Sequence, residues 1–161
     1  MAIPIDLSKI RWVSGEVEQF EVSGKGTFQQ LLAADPTAEV VITRQAQLGY
    51  DAAANTVGVQ LRIGYSVAAG ESSPPPDISG RFVLDFIFTV DNLPELLVEE
   101  KGQPASAVHP QLVLLLTSVA YSTARGILWT RLAGTALEGV TLPLIDPREL
   151  YGPIGSSEAT T

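Results

Sequence analysis

The chain holds one histidine, His109, and no cysteine, and this limits the chemistry it can do. His109 stands directly before Pro110 at what reads as a helix start, the place of a cap or surface residue rather than a proton shuttle. Without a second histidine or a thiol there is no transition-metal ligand set and no thiolate nucleophile. Neither a phosphate loop of the form G-x-x-x-x-G-K-S/T nor a G-x-S-x-G elbow occurs. Asp85 alternates onto the polar face of a strand, and Glu99 and Glu100 read as solvated rather than as an acid–base pair. What remains is recognition chemistry. Arg81, Val83, Asp85, Ile87 and Thr89 share one strand face, and apolar side chains beside an acid on a wet face suit a protein partner. The chain therefore reads as a binding protein, not an enzyme, with no cofactor or metal.

The elements that must carry these residues are legible from periodicity. In residues 56–69 every second side chain is apolar, from Val57 to Ala69, and residues 80–91 repeat this with Phe82, Leu84, Phe86, Phe88 and Val90. Alternation of this kind makes strands with one apolar face, and the short Pro74–Pro76 loop between them implies antiparallel pairing. Residues 10–23 read as a strand kinked at Gly15, and residues 38–50 as another with Ile42, Ala46, Leu48 and Tyr50 on one side. Arg44 falls on that same side, which predicts a bulge or a sheet edge. Residues 24–37 read as a connection whose Phe28, Leu31 and Leu32 pack down. The expected architecture is α+β: a four-stranded antiparallel meander followed by a long helix packed on one face.

A helical turn is expected over Pro94–Glu100 with Asn92 as its cap, broken by Gly102 and Pro104. The long helix spans about residues 110–132 and is apolar on more than one narrow stripe. One apolar side faces the sheet. The other predicts self-association through Leu112, Leu115, Ser118, Val119, Ser122 and Gly126. Asp146 and Pro147 read as the cap and first residue of a closing turn, and residues 155–161 as a disordered tail after a single domain over 1–154. The net charge of −8 argues against nucleic-acid binding. No stretch reaches the roughly 18–20 continuous apolar residues of a membrane span. The N-terminal sequence lacks the pattern of a secretory signal, so a cytoplasmic protein is expected.

Taken in order, the strands, the helix and the closing segment resemble the SecB family of export chaperones. The resemblance rests on Tyr121, Ala124 and Arg125 within the helix, then Leu142, Pro143, Leu144, Ile145 and Asp146, then Glu149, Leu150 and Tyr151, with Phe20-Glu21 near the end of the first strand. It implies an ATP-independent holdase, assembled as a dimer of dimers, that binds unfolded polypeptides in apolar grooves. Groove residues implied here are Phe28, Leu31, Leu32, Tyr50, Leu96, Leu97 and Trp129. The family's docking site for the ATPase SecA maps to Glu21, Asp85, Val83 and Val17, all assigned by alternation to the wet face. Val17 stands where the family has an aspartate, which argues against SecA docking. Gly152-Pro153 stands where the family continues into another helix. The groove is therefore expected to be more open or completed otherwise. The expected role is a holdase that can serve protein export; the alternative is an adaptor or antitoxin-protecting chaperone that binds one partner through the outer sheet face.

Overall fold

The structure, a computed structural model, describes residues 5–68, 78–99 and 106–151. Most of the proline loop, Glu100, Gly102, Pro104 and the tail lie outside the described residues. Strands β1 (Ile10–Ser23), β2 (Glu39–Asp51), β3 (Thr56–Ala68) and β4 (Ser79–Val90) form one antiparallel sheet. Its spatial order is β1-β4-β3-β2. The last three strands are the expected meander, but β1 pairs with β4 and forms the edge opposite β2. The connection can cross the sheet because it contains a helix, α1 (Phe28–Ala34), that periodicity alone did not reveal. Thr27 starts it with a capping box: its hydroxyl accepts from the Gln30 amide, and the Gln30 side chain accepts from the Thr27 amide.

Alternation places Val57, Val59, Leu61, Ile63, Tyr65 and Val67 of β3 on the inner face, all buried. The matching row of β4 is Phe82, Leu84, Phe86, Phe88 and Val90. Each such side chain contributes about 1.5–3 kcal/mol on full burial, so these two strands dominate the core. The 22-residue helix α2 (Pro110–Arg131) covers this face with Leu112, Leu116, Ala120, Ala124 and Leu128. Those residues recur every four positions, which keeps them on one helical face. By length and composition α2 is also apolar enough to cross a membrane, a test that the core helix of a globular protein equally passes.

β1 departs from simple alternation. Its register against β4 shifts at Val13 and again at Glu18, not at Gly15. Each extra residue re-phases the strand. Val17 consequently pairs opposite Leu84 on the inner face, half-buried against the core, and its assignment to the wet face is corrected. Gly15 serves another purpose: a Cβ there would stand 2.6 Å from the Trp12 indole. The ring packs at 5.5 Å from Phe86 and 5.4 Å from Phe88.

Between β4 and α2 the chain forms a 3-10 turn, Leu93–Leu96, and a small ribbon of β5 (Leu97–Glu99) with β6 (Ser106–Val108). The helical turn is thus shorter than expected. Asn92 makes no side-chain cap, because Pro94 has no amide to offer and the Glu95 amide bonds the Asn92 backbone carbonyl at 3.0 Å. His109 does cap: its Nδ1 accepts from the Gln111 amide at 3.1 Å, with Pro110 at the first helical position.

Candidate polypeptide-binding surfaces

The segment after α2 doubles back along it as a strap. Tyr121 and Arg125 sit one turn apart, and they donate to consecutive carbonyls: Tyr121 Oη to Pro143 O at 2.7 Å, Arg125 Nε to Leu142 O at 2.9 Å. One turn earlier, Thr117 Oγ1 bonds Tyr151 Oη at 2.7 Å. Asp146 accepts from the Arg148 amide and starts the 3-10 turn Pro147–Leu150. The same carboxylate is held at a pKa of about 2 by hydrogen bonds from the Arg148 side chain and amide. Leu142 and Leu150 are buried under the strap, while Leu144 is 82% exposed. Burial raises the pKa values of Tyr121 and Tyr151, opposed at Tyr121 by Arg44 and at Tyr151 by the Thr117 bond. Of the residues that carried the family resemblance, Tyr121, Arg125, Leu142, Pro143 and Tyr151 are therefore fasteners between helix and strap.

On the face of α2 turned from the sheet, Ser118, Val119, Ser122 and Gly126 are exposed and Leu115 is half-buried. Ser118, Thr123 and Thr130 donate their hydroxyls to carbonyls four residues back, so this side of the helix offers fewer free donors than its composition suggests. Leu112 does not belong to this face. It is wholly buried against the sheet, which corrects its place in the expected subunit interface.

The expected groove residues divide. Phe28 is buried, its amide bonded to the Ala136 carbonyl at 2.8 Å, and Leu96 is buried below the β4–α2 connection. Both are core, since each is already covered by its own chain. Leu31, Leu32 and Leu97 are half-buried against that core. Tyr50 and Trp129 are exposed large side chains, together with Val119 and Leu144. Leu144, the most exposed of these, was part of the resemblance but not of the expected groove; its place beside Pro143 in a segment held by carbonyl bonds was the available signal.

The outer sheet face forms a different surface. Gly49 of β2 pairs with Gly58 of β3, and the missing side chains leave a shallow depression of about 480 Å³ bordered by Ile87, Glu16, Glu18 and Asp85. Gln60 Nε2 donates to Asp85 Oδ1 at 3.0 Å, and Arg62 Nε donates to Gln60 Oε1 at 3.0 Å. The Asp85 charge beside Glu18, and a hydrogen bond between the two carboxyl groups, raise the Glu18 pKa. Glu21 pairs across from Arg81, and Val83 across from Gln19. Of the expected docking residues, Glu21, Val83 and Asp85 share this face and Val17 does not. Alternation missed Glu18 because the bulge that turns it outward leaves no mark in the pattern. Among the described residues no three His, Asp or Glu side chains come together to hold a metal ion.

No protein-family model matches the chain, and no curated protein matches it by sequence. Among solved structures it is similar to the Mycobacterium tuberculosis Rv1957 SecB-like chaperone, in complex with a ChAD peptide from the Rv1956 HigA1 antitoxin. The TM-score is 0.59 at 8% identity, covering 86% of this chain and 92% of that one. A Streptococcus agalactiae protein of unknown function aligns at a TM-score of 0.37 and 12% identity, over 84% of this chain and 97% of that one. The first likeness establishes a SecB-like α+β fold.

Proposed function

We propose that this protein is an ATP-independent, SecB-like holdase that binds non-native polypeptide segments and assembles into a homo-oligomer through the outer face of α2. The observation that carries the proposal is the large apolar side chains left outside the core, among them Trp129 at 53% exposure, Val119 at 40%, Tyr50 at 38% and Leu144 at 82%, besides Leu7, Trp12 and Val13 near the start of the chain. Exposed apolar surface of this kind binds unfolded chains or another subunit. A fold neighbour with a bound antitoxin peptide favours a dedicated client, such as an antitoxin, over general export. Light scattering coupled to size exclusion tests this. A tetramer that co-elutes with a denatured client, but not with its native form, is expected. A monomer that ignores unfolded chains, and fails to slow their aggregation at stoichiometric ratios, overturns it.

The outer face favours a second reading, an adaptor that docks one folded partner through a basic side chain placed against Glu16, Glu18 and Asp85. The Gly49–Gly58 depression beside these acids supports it. Asp85→Lys would then abolish partner binding while leaving holdase activity intact.

A further inference from the structure

β1 and β2 are the two edges of the sheet, and they differ in construction. β1 carries two bulges, a feature that blunts an edge against further pairing. β2 has none: its register with β3 runs unbroken from Glu39↔Ala68 to Asp51↔Thr56. A regular edge strand directs alternate N–H and C=O groups away from its one partner strand, here with the turn Pro147–Leu150 also close to β2. β2 also lacks the proline and lysine that commonly protect such edges. It carries instead one inward charge, Arg44, on the same face as Val40, Ile42, Ala46 and Leu48.

Arg44 is half-buried and forms no ion pair with a carboxylate among the described residues. It faces the Tyr121 hydroxyl, an uncharged partner. On the same inner face the Tyr65 hydroxyl, in a residue 2% exposed, has no hydrogen-bond partner among the described residues. A guanidinium partly withdrawn from water, facing phenols and no carboxylate, is under-compensated. A carboxylate on a bound chain would compensate it.

We propose that the edge of β2 takes up an extended polypeptide segment as a fifth strand, and that Arg44 selects segments carrying a carboxylate in an otherwise apolar alternating row. Main-chain pairing supplies affinity, and the row beside Val40, Ile42 and Leu48 supplies fit. The occupant is a foreign chain rather than a second copy. Antiparallel self-pairing centred on Gln45 would bring two Arg44 side chains together as diagonal neighbours on one face. This inference rests on the client-binding reading and narrows it to acidic, apolar, extended segments.

The test uses the full chain and a fluorescein-labelled peptide of about ten residues, alternating valine and threonine, with one glutamate in the valine row. Analogues carry glutamine or lysine there, or N-methyl groups on alternate amides of one edge or the other. The glutamate peptide should bind at least about tenfold more tightly than the lysine analogue, the scale of one charge-assisted bond. Arg44→Glu should reverse that order, and Arg44→Gln should erase it without loss of fold. N-methylation along one edge should abolish binding, and along the other should be tolerated. Equal affinity for all analogues, tolerance of both N-methyl sets, or a dimer formed through β2 overturns the inference. A protein that prevents aggregation without these preferences refutes this inference alone. One that keeps the preferences but prevents no aggregation refutes the holdase reading alone.

Discussion

The Tyr121 hydroxyl donates to the Pro143 carbonyl at 2.7 Å, joining the middle of α2 to a segment 22 residues further along. With Arg125 on the Leu142 carbonyl, it satisfies two backbone acceptors that an extended strap cannot satisfy within itself.

Breaking these fasteners should loosen the strap in proportion to their charge. Tyr121→Phe should cost about 1–2 kcal/mol and Arg125→Met about 1.5–3 kcal/mol, since the second bond has an ionised donor. Urea titrations would report both as lower midpoints. An unchanged midpoint for both variants would mean that the strap is held by Leu142 and Leu150 alone.

Leu112 and Val119 lie on the same helix with opposite consequences. Leu112→Ala opens a cavity under the sheet and should cost about 2–5 kcal/mol. Val119→Ser should change the stability of the isolated subunit by no more than about 0.5 kcal/mol but shift the oligomer toward smaller species. Sedimentation velocity separates the two effects, and a Val119→Ser protein with unchanged assembly would remove this face from the interface.

At Gly126 no atom of the described residues, apart from its chain neighbours and the helix's own backbone, lies within 4 Å of where a Cβ would stand. Gly126→Ala should therefore stabilise the lone subunit by about 1 kcal/mol through helix propensity. If the outer face of α2 is a close subunit contact, Gly126→Leu should weaken assembly while leaving helix content unchanged by circular dichroism. Undiminished assembly in Gly126→Leu would place the contact elsewhere.

Tyr65, Tyr121 and Tyr151 are held above the ordinary tyrosine pKa by burial. Unfolded, each ionises near pH 10; folded, only at higher pH. Their contribution is fully present below about pH 10 and is lost as pH rises through the raised folded values. The urea midpoint should fall in that window, with a shallower slope in Tyr151→Phe. A midpoint independent of pH there would contradict the burial of all three hydroxyls.

Glu18 works with the same sign at the acidic end. Its raised pKa means that ionising it beside Asp85 is unfavourable in the fold. Glu18→Gln should be more stable than the natural chain at pH 7, and this advantage should vanish as pH falls below the ordinary glutamate value. Chemical denaturation at the two pH values checks it, and an advantage that persists in acid would point to lost packing instead.

The inner rows of β3 and β4, the span of α2 and the caps at His109 and Asp146 were all legible, because period-2 and period-3.6 patterns and capping chemistry are local. The place of β1 was not: which strand it pairs with depends on where a fifteen-residue connection leads, and local pattern does not encode that. Val17 left its expected face, and Glu18 turned outward beside Asp85, because a bulge adds a residue without a composition of its own. Thr27 and Gln30 did carry a local signal for α1, read instead as part of a loop. Among apolar residues, Phe28, Leu96 and Leu112 became core while Trp129 and Leu144 stayed outside. Hydrophobicity says that a residue seeks cover, but only tertiary contacts decide whether its own chain supplies it.

The strand order β1-β4-β3-β2 also sets a timetable for the newborn chain. β1 is made first, yet its partner β4 begins only at Ser79. At about 5–20 residues per second, translation leaves β1 without its partner for several seconds while the intervening chain is made. During that interval Trp12, Phe20 and Val22 have no sheet to join. A protein proposed to shelter unfinished chains thus passes through a phase of its own synthesis in which it resembles its clients.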